Sequence, residues 1–291
     1  SAGHYERDAA GYGASDGVIE RSLSVQPFTA LECRLPASVT YVQTNDQAPK
    51  VVLKGAPAMV ERCVVDVRDG KLQLYLVQKA KQSMKCLSQS RNQLNITVYG
   101  GRLTALAVQS ACTFYATQLE TSQLALSNAG ASSIRVGRFA GQQLTMSCSG
   151  ASSTKLAGNV AKLMLNVTGA SSFVANEFAT QDLKAKVSGA STAKCALQGS
   201  AGVDVSGAST LTLSGTADLF TIKCSGASSV KAADLKAQNV VVDVAGASGV
   251  KCYAARSIKG TVGCGSLTYG GRPTSFNVER QNSTASIKAV D

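Results

Sequence analysis

A Gly-Ala-Ser step returns about every nineteen residues through the C-terminal half of this chain, and a Ser precedes it in most copies. Successive glycines are separated by 20, 19, 20, 18, 19 and 20 residues, and a degraded copy follows 18 residues later with Cys264 in place of the glycine. A fixed period of this length is typical of stacked repeats, each of them one supersecondary unit. The repeat glycines are Gly130, Gly150, Gly169, Gly189, Gly207, Gly226 and Gly246.

Apolar and polar residues alternate on both sides of each glycine, as in Leu163, Leu165 and Val167 before Gly169. A period of two predicts half-buried strands, and the glycine in every repeat excludes a helical solenoid. We therefore expect two short strands joined by a corner in each repeat, with loops on the third side, for example at residues 139–143 and 177–182. The predicted fold is an all-β, single-stranded parallel β-helix, and the usual handedness of parallel connections favours a right-handed coil.

The corner contains a serine two positions after each glycine. Stacked hydroxyls about 4.8 Å apart are able to donate to one neighbour and accept from the other, so we expect a hydroxyl ladder with a structural role. A column of identical serines is a poor candidate for one nucleophile. The predicted column is Ser132, Ser152, Ser171, Ser191, Ser209, Ser228, Ser248 and Ser266.

The alternation predicts four regions along the chain. The first twenty residues are polar, contain four glycines and show no period, so residues 1–20 are expected to form a disordered tail. Strand patterns without the glycine corner, including one over residues 25–43 and a hairpin turn at Asp69-Gly70, predict an N-terminal β cap over residues 21–105. The β-helix repeats follow at 106–271, and residues 272–291 are expected to close the other end, because an uncovered sheet edge invites aggregation.

The nine cysteines would ordinarily suggest disulfides, but the repeat argues against them. Cys148 and Cys224 fall in one inward column four coils apart, and Cys195 and Cys252 fall in another three coils apart, which is too far for a disulfide. They are predicted to be small buried hydrophobes.

Three further cysteines, Cys33, Cys63 and Cys86, lie outside the repeats, and the sequence leaves open whether two of them form a disulfide. The chain has no CxxC pair, and its one histidine is His4 in the predicted tail. We therefore predict no metal site and no cofactor.

The formal net charge of +11 favours an anionic partner. Five of the seven residues found five positions after the corner glycines are basic, and the alternation places them on an outer face as a broken stripe. One hypothesis makes the stripe a track for an acidic polysaccharide, a lipopolysaccharide phosphate or a nucleic acid, and the other makes it a solvated face. No aromatic residue is interleaved with the stripe for base stacking, so no specific nucleic acid is predicted. The candidate binding residues are Arg135, Lys155, Lys194, Lys231 and Lys251.

The best enzymatic candidate is a second column, three positions before the glycines. Asp204 and Asp243 would stand about 10 Å apart there, near the upper end of the carboxylate separation in inverting glycosidases, but Lys223 falls between them. The chain has no Trp for sugar stacking, and Tyr41, Tyr75, Tyr99 and Tyr115 are the substitutes. The sequence shows no other arrangement of residues that is typical of a catalytic site, so a non-enzymatic protein is predicted. A polysaccharide lyase or glycoside hydrolase and a purely structural envelope protein stay as alternatives.

Three motifs carry a resemblance over about residues 22 to 270: Phe28-Thr29-Ala30-Leu31, the run Asp69-Gly70-Lys71-Leu72-Gln73-Leu74, and the repeated Ser-Gly-Ala-Ser corners. Together they resemble the bacterial family called putative auto-transporter adhesin, head GIN domain. The resemblance implies a β-helical protein exported to the cell surface, the periplasm or the medium, with no catalytic residues to carry over. The charge and the resemblance together predict anionic polysaccharides or other envelope components as partners, and a protein partner stays open.

The sequence has no apolar run near the ~20 residues that span a bilayer, and no signal peptide is recognised. An export signal or anchor is therefore expected to lie outside the given sequence.

Overall fold

The computed structural model describes residues 17–78 and 93–290. It is 70% strand and 2% helix, a β-solenoid of about nine turns in this described part, which confirms the predicted fold class. The chain divides into two compact units, unit 1 over Ser1–Arg138 and unit 2 over Phe139–Asp291. His4, Cys86 and most of the predicted N-terminal tail lie outside the described residues.

Unit 1 contains one helix and the shorter strands. Its elements are β1 (Ile19–Ser24), β2 (Ala30–Arg34), β3 (Ser38–Gln43), β4 (Lys50–Gly55), α1 (Pro57–Arg62), β5 (Cys63–Arg68), β6 (Lys71–Leu76), β7 (Leu94–Gly100), β8 (Ala105–Gln109), β9 (Thr113–Ala116), β10 (Leu119–Glu120), β11 (Gln123–Asn128) and the start of β12 (Ser133–Cys148). The pattern over residues 25–43 thus yields two strands, because the chain turns at residues 35–37.

Both parallel and antiparallel pairing occur in unit 1. Strands β2 and β3 pair in parallel with β8 and β9, with Cys33 opposite Val108 and Tyr41 opposite Ala116. Strand β4 runs antiparallel to β1 and β7, and β5 runs antiparallel to β6. The predicted hairpin turn at Asp69-Gly70 joins β5 to β6, with both residues at positive φ. Parallel coiling therefore begins inside residues 21–105, and the boundary of the cap at residue 105 stays a prediction.

Unit 2 is built from long strands, one for each coil as far as β18, followed by three short strands. They are the end of β12, then β13 (Ser153–Val167), β14 (Ser172–Val187), β15 (Thr192–Val205), β16 (Thr210–Cys224), β17 (Ser229–Val244), β18 (Gly249–Val262), β19 (Ser266–Gly270), β20 (Ser275–Arg280) and β21 (Ser286–Ala289). Strands β13 to β19 pair in parallel, and β20 and β21 pair in parallel with β18 and β19. The proposed closing role of residues 272–291 stays a prediction.

The expected loops on the third side were wrong. Residues 139–143 belong to β12, and residues 177–182 belong to β14. The strand continues there through bulges, as between Ala175 and Ala179, where the register with β15 shifts. Phe139 and Phe178 anchor this side in the core, with ring centroids 6.0 Å apart. Since each fully buried apolar side chain contributes about 1.5–3 kcal/mol, these aromatic rings hold the third side on the core.

Two physical reasons require glycine at the corners of unit 2. Gly189 and its equivalents have φ between 67° and 76°, the left-handed region. A Cβ at Gly189 would also overlap the carbonyl oxygen of Gly169, the corner glycine of the preceding coil. That oxygen accepts a hydrogen bond from the N–H of Ala190 at 2.8 Å. The corner glycine therefore allows both the turn and the close backbone approach between coils.

The serines form a buried column, but most of their hydrogen bonds go to the backbone. Ser191 is typical: its Oγ accepts from the N–H of Ser171 at 3.2 Å and donates to the carbonyl of Gly169 at 3.2 Å. A direct bond between hydroxyls joins Ser152 to Ser171 at 3.1 Å. The predicted hydroxyl ladder is thus mainly a series of side-chain bonds that tie each corner to the backbone of the preceding corner.

The column ends one copy earlier than predicted. Ser248 is buried, whereas Ser266 is exposed and lies in register with Gly249, one position beyond the serine column. The corner at Cys264 is one residue shorter than the others, so Gly265 occupies the place of the serine. A Cβ at Gly265 would overlap the carbonyl oxygen of Ser248, which explains the glycine.

Candidate functional site: an outward row of lysines

The four predicted lysines of unit 2 occupy a single outward row. Each is exposed, because it alternates with buried residues along its strand. The strand registers also place Lys288 of β21 in this row, a residue that the glycine spacing could not reveal. From coil to coil the row is Lys155, Val174, Lys194, Thr212, Lys231, Lys251, Thr268 and Lys288. We call Lys155, Lys194, Lys231, Lys251 and Lys288 the lysine row.

Neutral residues separate most of these cations. Lys155, Lys194 and Lys231 recur on alternate coils, so their Cα atoms are about 10 Å apart, and only Lys231 and Lys251 are on adjacent coils. Two unit charges about 10 Å apart in water repel by only ~0.4 kcal/mol, so the spacing keeps the cost small. Among the described residues, no carboxylate lies within 4 Å of these amines.

A row of small hydroxyls lies beside the lysine row. Its residues stand two positions earlier on the same strands and therefore on the same face. Hydroxyls both donate and accept hydrogen bonds, while the ammonium groups only donate. The face therefore offers cations for acidic groups and hydroxyls for the oxygens between them. The hydroxyl residues are Ser153, Ser172, Thr192, Thr210 and Ser229, in register from β13 to β17.

Arg135, the remaining predicted site residue, lies in unit 1. Its side chain is exposed, and its backbone is in register with Tyr115 on β9, whose side chain is 39% exposed. The expectation that no aromatic residue accompanies the predicted stripe is therefore wrong at this position. The sequence analysis named Tyr115 for sugar stacking but did not place it beside the stripe, because the stripe was counted from the corner glycines and this coil has Ser110 at positive φ in that place.

The row with the enzymatic candidate carries alternating charges. Lys186, Asp204, Lys223 and Asp243 follow one another in register on successive coils. Asp204 and Asp243 are thus two coils, about 10 Å, apart, with Lys223 between them. Asp243 accepts a hydrogen bond from the hydroxyl of Thr261 at 3.3 Å. Opposite charges alternate here, whereas the lysine row contains charges of one sign.

The four cysteines of the inward columns are buried thiols, as predicted. Burial raises the pKa of Cys195 and of Cys252 to about 12. It raises the pKa of Cys148 to about 11, although a hydrogen bond with Thr154 opposes the change. A thiolate is the reactive form of cysteine, so these residues are chemically inert at neutral pH.

Cys33, which lies outside the repeats, is close to Cys112, a cysteine that the sequence analysis did not consider as its partner. Cys33 and Cys63 are both free thiols. A hydrogen bond with Cys112, followed by burial, raises the pKa of the Cys33 thiol. Cys112 occupies the serine position of its coil, and its N–H donates to Ser132 Oγ at 3.2 Å.

Comparison with known families decides the relationship of this chain. A family model described as "Putative auto-transporter adhesin, head GIN domain" matches residues 27–212 and 198–273. The chain belongs to this family. The matched residues span most of both units, and they include the serine column and the first four residues of the lysine row. Comparison with curated proteins finds no match.

Several solved structures resemble this chain over nearly its whole length. A "putative lipid binding protein" from Parabacteroides distasonis is 17% identical with a TM-score of 0.51, over 95% of this chain and 98% of that one. A "putative adhesin" from Parabacteroides merdae is 14% identical with a TM-score of 0.51, over 95% and 97%. Another from Bacteroides fragilis is 18% identical with a TM-score of 0.47, over 95% and 98%. The two likenesses with a TM-score of 0.51 show the fold alone.

Within residues 17–78 and 93–290, no helix has the length and apolar character needed to cross a bilayer.

Proposed function

We propose that this protein is a non-enzymatic binding scaffold of the bacterial cell surface or envelope, and that the lysine row of unit 2 binds extended acidic polysaccharides. The observation that carries the proposal is the row of exposed cations without carboxylate partners. Membership of the head GIN family supports a surface role, since the family is described as an adhesin family. An exported location follows from the same proposal.

The spacing of the row supports a polymer in preference to a small anion. The cations lie along the direction in which the coils stack, mostly about 10 Å apart, and each is exposed. An extended polyanion with charges at similar intervals would meet several ammonium groups at once. Each contact alone is weak, but linked contacts on one chain raise the overall affinity. The neighbouring hydroxyls would hydrogen-bond to the sugar oxygens between the charged groups.

The test measures binding of dextran sulfate and polygalacturonate to the full chain, with neutral dextran for comparison. The row variant carries Lys155→Gln, Lys194→Gln, Lys231→Gln and Lys251→Gln. The matched control carries Lys184→Gln, Lys186→Gln, Lys223→Gln and Lys259→Gln, which removes the same net charge from other outward positions of unit 2.

We expect the row variant to lose most of its affinity for both polyanions and the control to keep it. By counterion release, each lysine removed should lower the slope of log Kd against log salt by about one. Equal losses in the two variants would mean that net charge alone attracts the polymer, and an unchanged row variant would place the binding elsewhere. Either result contradicts the proposal.

A further inference from the structure

A cavity of about 310 Å³ lies in unit 1, outside the lysine row. It forms where two paired strands separate. Strand β3 pairs with β9 as far as Tyr41 and Ala116; β3 then continues beside β7, while the chain after β9 leaves the ladder at Thr117. The gap between them is crossed by Gln43, whose amide oxygen accepts from the N–H of Glu120 and whose NH₂ donates to the carbonyl of Glu120, both at 2.8 Å.

The lining of this cavity is rich in amides and hydroxyls. Within the described residues, the amides of Asn45 and Gln118 make no hydrogen bond to the protein, so both are available to a ligand. Glu120 is also a lining residue, and its carboxylate lies 4.0 Å from the guanidinium of Arg102. The lining residues are Tyr41, Val42, Gln43, Thr44, Asn45, Thr117, Gln118 and Glu120.

An apolar rim accompanies these polar groups. The hydroxyl of Thr117, a lining residue, donates to the hydroxyl of Tyr115 at 3.4 Å, so the tyrosine side chain lies next to the lining without being part of it. Val42, another lining residue, is 37% exposed. Its outward neighbour on β3, Thr40, lies opposite Tyr115, so the two exposed apolar side chains share one face.

The other tyrosines considered for sugar stacking do not present a free ring. Tyr41 is buried and its hydroxyl donates to the carbonyl of Gly101. Arg34 lies over the ring of Tyr75 at 5.1 Å, and Lys50 lies over the ring of Tyr99 at 4.7 Å. Within the described part of unit 1, Tyr115 has an exposed ring with no such cation above it.

We propose that this cavity binds one uncharged pyranose residue of a glycan. A pyranose has an apolar C–H face, suited to Tyr115 and Val42, and hydroxyls suited to the Asn45 and Gln118 amides and to the Glu120 carboxylate. The lining has no Lys or Arg, and its one acidic residue, Glu120, is paired with Arg102, so no unpaired cation is present in the lining to select an acidic sugar. A volume of about 310 Å³ is at the small end of ligand pockets, which matches a single ring. The site is independent of the proposed polyanion track, because it differs in unit, charge and ligand.

The test uses saturation-transfer NMR on the full chain with the methyl glycosides of glucose, galactose, mannose and N-acetylglucosamine, and with methyl glucuronide as the acidic comparator. Each is used at about 10 mM, where a Kd of about 1 mM gives nearly full occupancy. The lining variants are Tyr115→Ala and Gln118→Leu. Tyr115→Phe keeps the ring, and Gln198→Leu makes the same amide change at an exposed position of unit 2.

We expect at least one uncharged glycoside to receive saturation, independently of salt. Its Kd should rise about tenfold or more in both lining variants, while Tyr115→Phe and Gln198→Leu bind as the unchanged protein does. Retained circular dichroism spectra and melting temperatures will show that the lining variants are folded.

Two results would overturn the proposal: no transfer to any uncharged glycoside, or unchanged binding in both lining variants. Loss of dextran sulfate binding in the lysine row variant is a separate result with a separate probe. Failure of one proposal is therefore distinguishable from failure of the other.

Discussion

Replacing Ser191 by alanine tests whether the buried serines stabilise the stack of coils. The side chain is 1% exposed, so the change removes a hydroxyl from the interior without changing the surface. The hydroxyl makes two bonds, one from the N–H of Ser171 and one to the carbonyl of Gly169. The Gly169 carbonyl keeps its bond from Ala190, so the N–H of Ser171 is the group left without a partner.

The loss of stability in Ser191→Ala follows from the one N–H, that of Ser171, that is left without a hydrogen-bond partner. A buried polar group without a partner costs about 1–3 kcal/mol, so the free energy of unfolding of Ser191→Ala should fall by that amount. The same loss should raise the exchange rate of the Ser171 amide hydrogen about 5- to 150-fold, provided that exchange follows local opening.

Urea unfolding measures the first quantity, and NMR hydrogen exchange at Ser171 measures the second. The control is Ser188→Ala in the same corner, where the side chain makes no hydrogen bond among the described residues, and its effect should stay within about 0.5 kcal/mol. If Ser191→Ala matches this control in stability and leaves exchange at Ser171 unchanged, the serine column does not stabilise the fold through these bonds.

Two further predictions concern backbone space and buried thiols. Gly207→Ala should lower the midpoint of chemical unfolding sharply, because its φ is 74° and a Cβ would overlap the carbonyl of Gly189, whereas Gly202→Ala, which has open space around it, should have no effect or raise the midpoint slightly. Burial raises the thiol pKa of Cys195 and Cys252 from 9.0 to about 12, so these protonated thiols stabilise the fold below about pH 9 and lose that contribution as the pH rises toward 12. Unfolding measured from pH 8 to 11 should show stability falling above pH 9, and a smaller fall in a Cys195→Ala, Cys252→Ala variant; an identical fall in both proteins would refute the assignment.

Regularity explains which parts of the fold could be predicted from the sequence. The corner glycines and the inward apolar columns recur at one spacing, so their positions predicted the parallel coils and the buried thiols correctly. The third side was missed because bulges interrupt the alternation, as at the register shift between Ala175 and Ala179. Helix α1 was missed because six residues are too few to show a helical period.

In the candidate sites too, the regularly spaced residues could be predicted from the sequence and the others could not. Four lysines of the row follow from counting positions after each glycine, but Lys288 lies beyond the shortened corner at Cys264, where counting fails. The cavity in unit 1 depends on where β9 leaves β3, and on Gln43 reaching Glu120 across 77 positions of the chain. Pairings between such distant positions leave no local pattern in one sequence.

The identical backbone bonds between successive corners of unit 2 have a consequence for how such a protein changes in length. Ala170, Ala190, Ala208 and Ala227 each donate at 2.8 Å to the corner glycine one coil earlier, so every coil presents the same edge to the next. Gain or loss of one whole repeat would therefore join matching edges and would only change the number of lysines in the row. A difference of one or two residues within a coil is absorbed at its bulges and corners instead, since coils of 18, 19 and 20 residues keep the same row in register. A change in the number of cations in the row should accordingly come in complete coils.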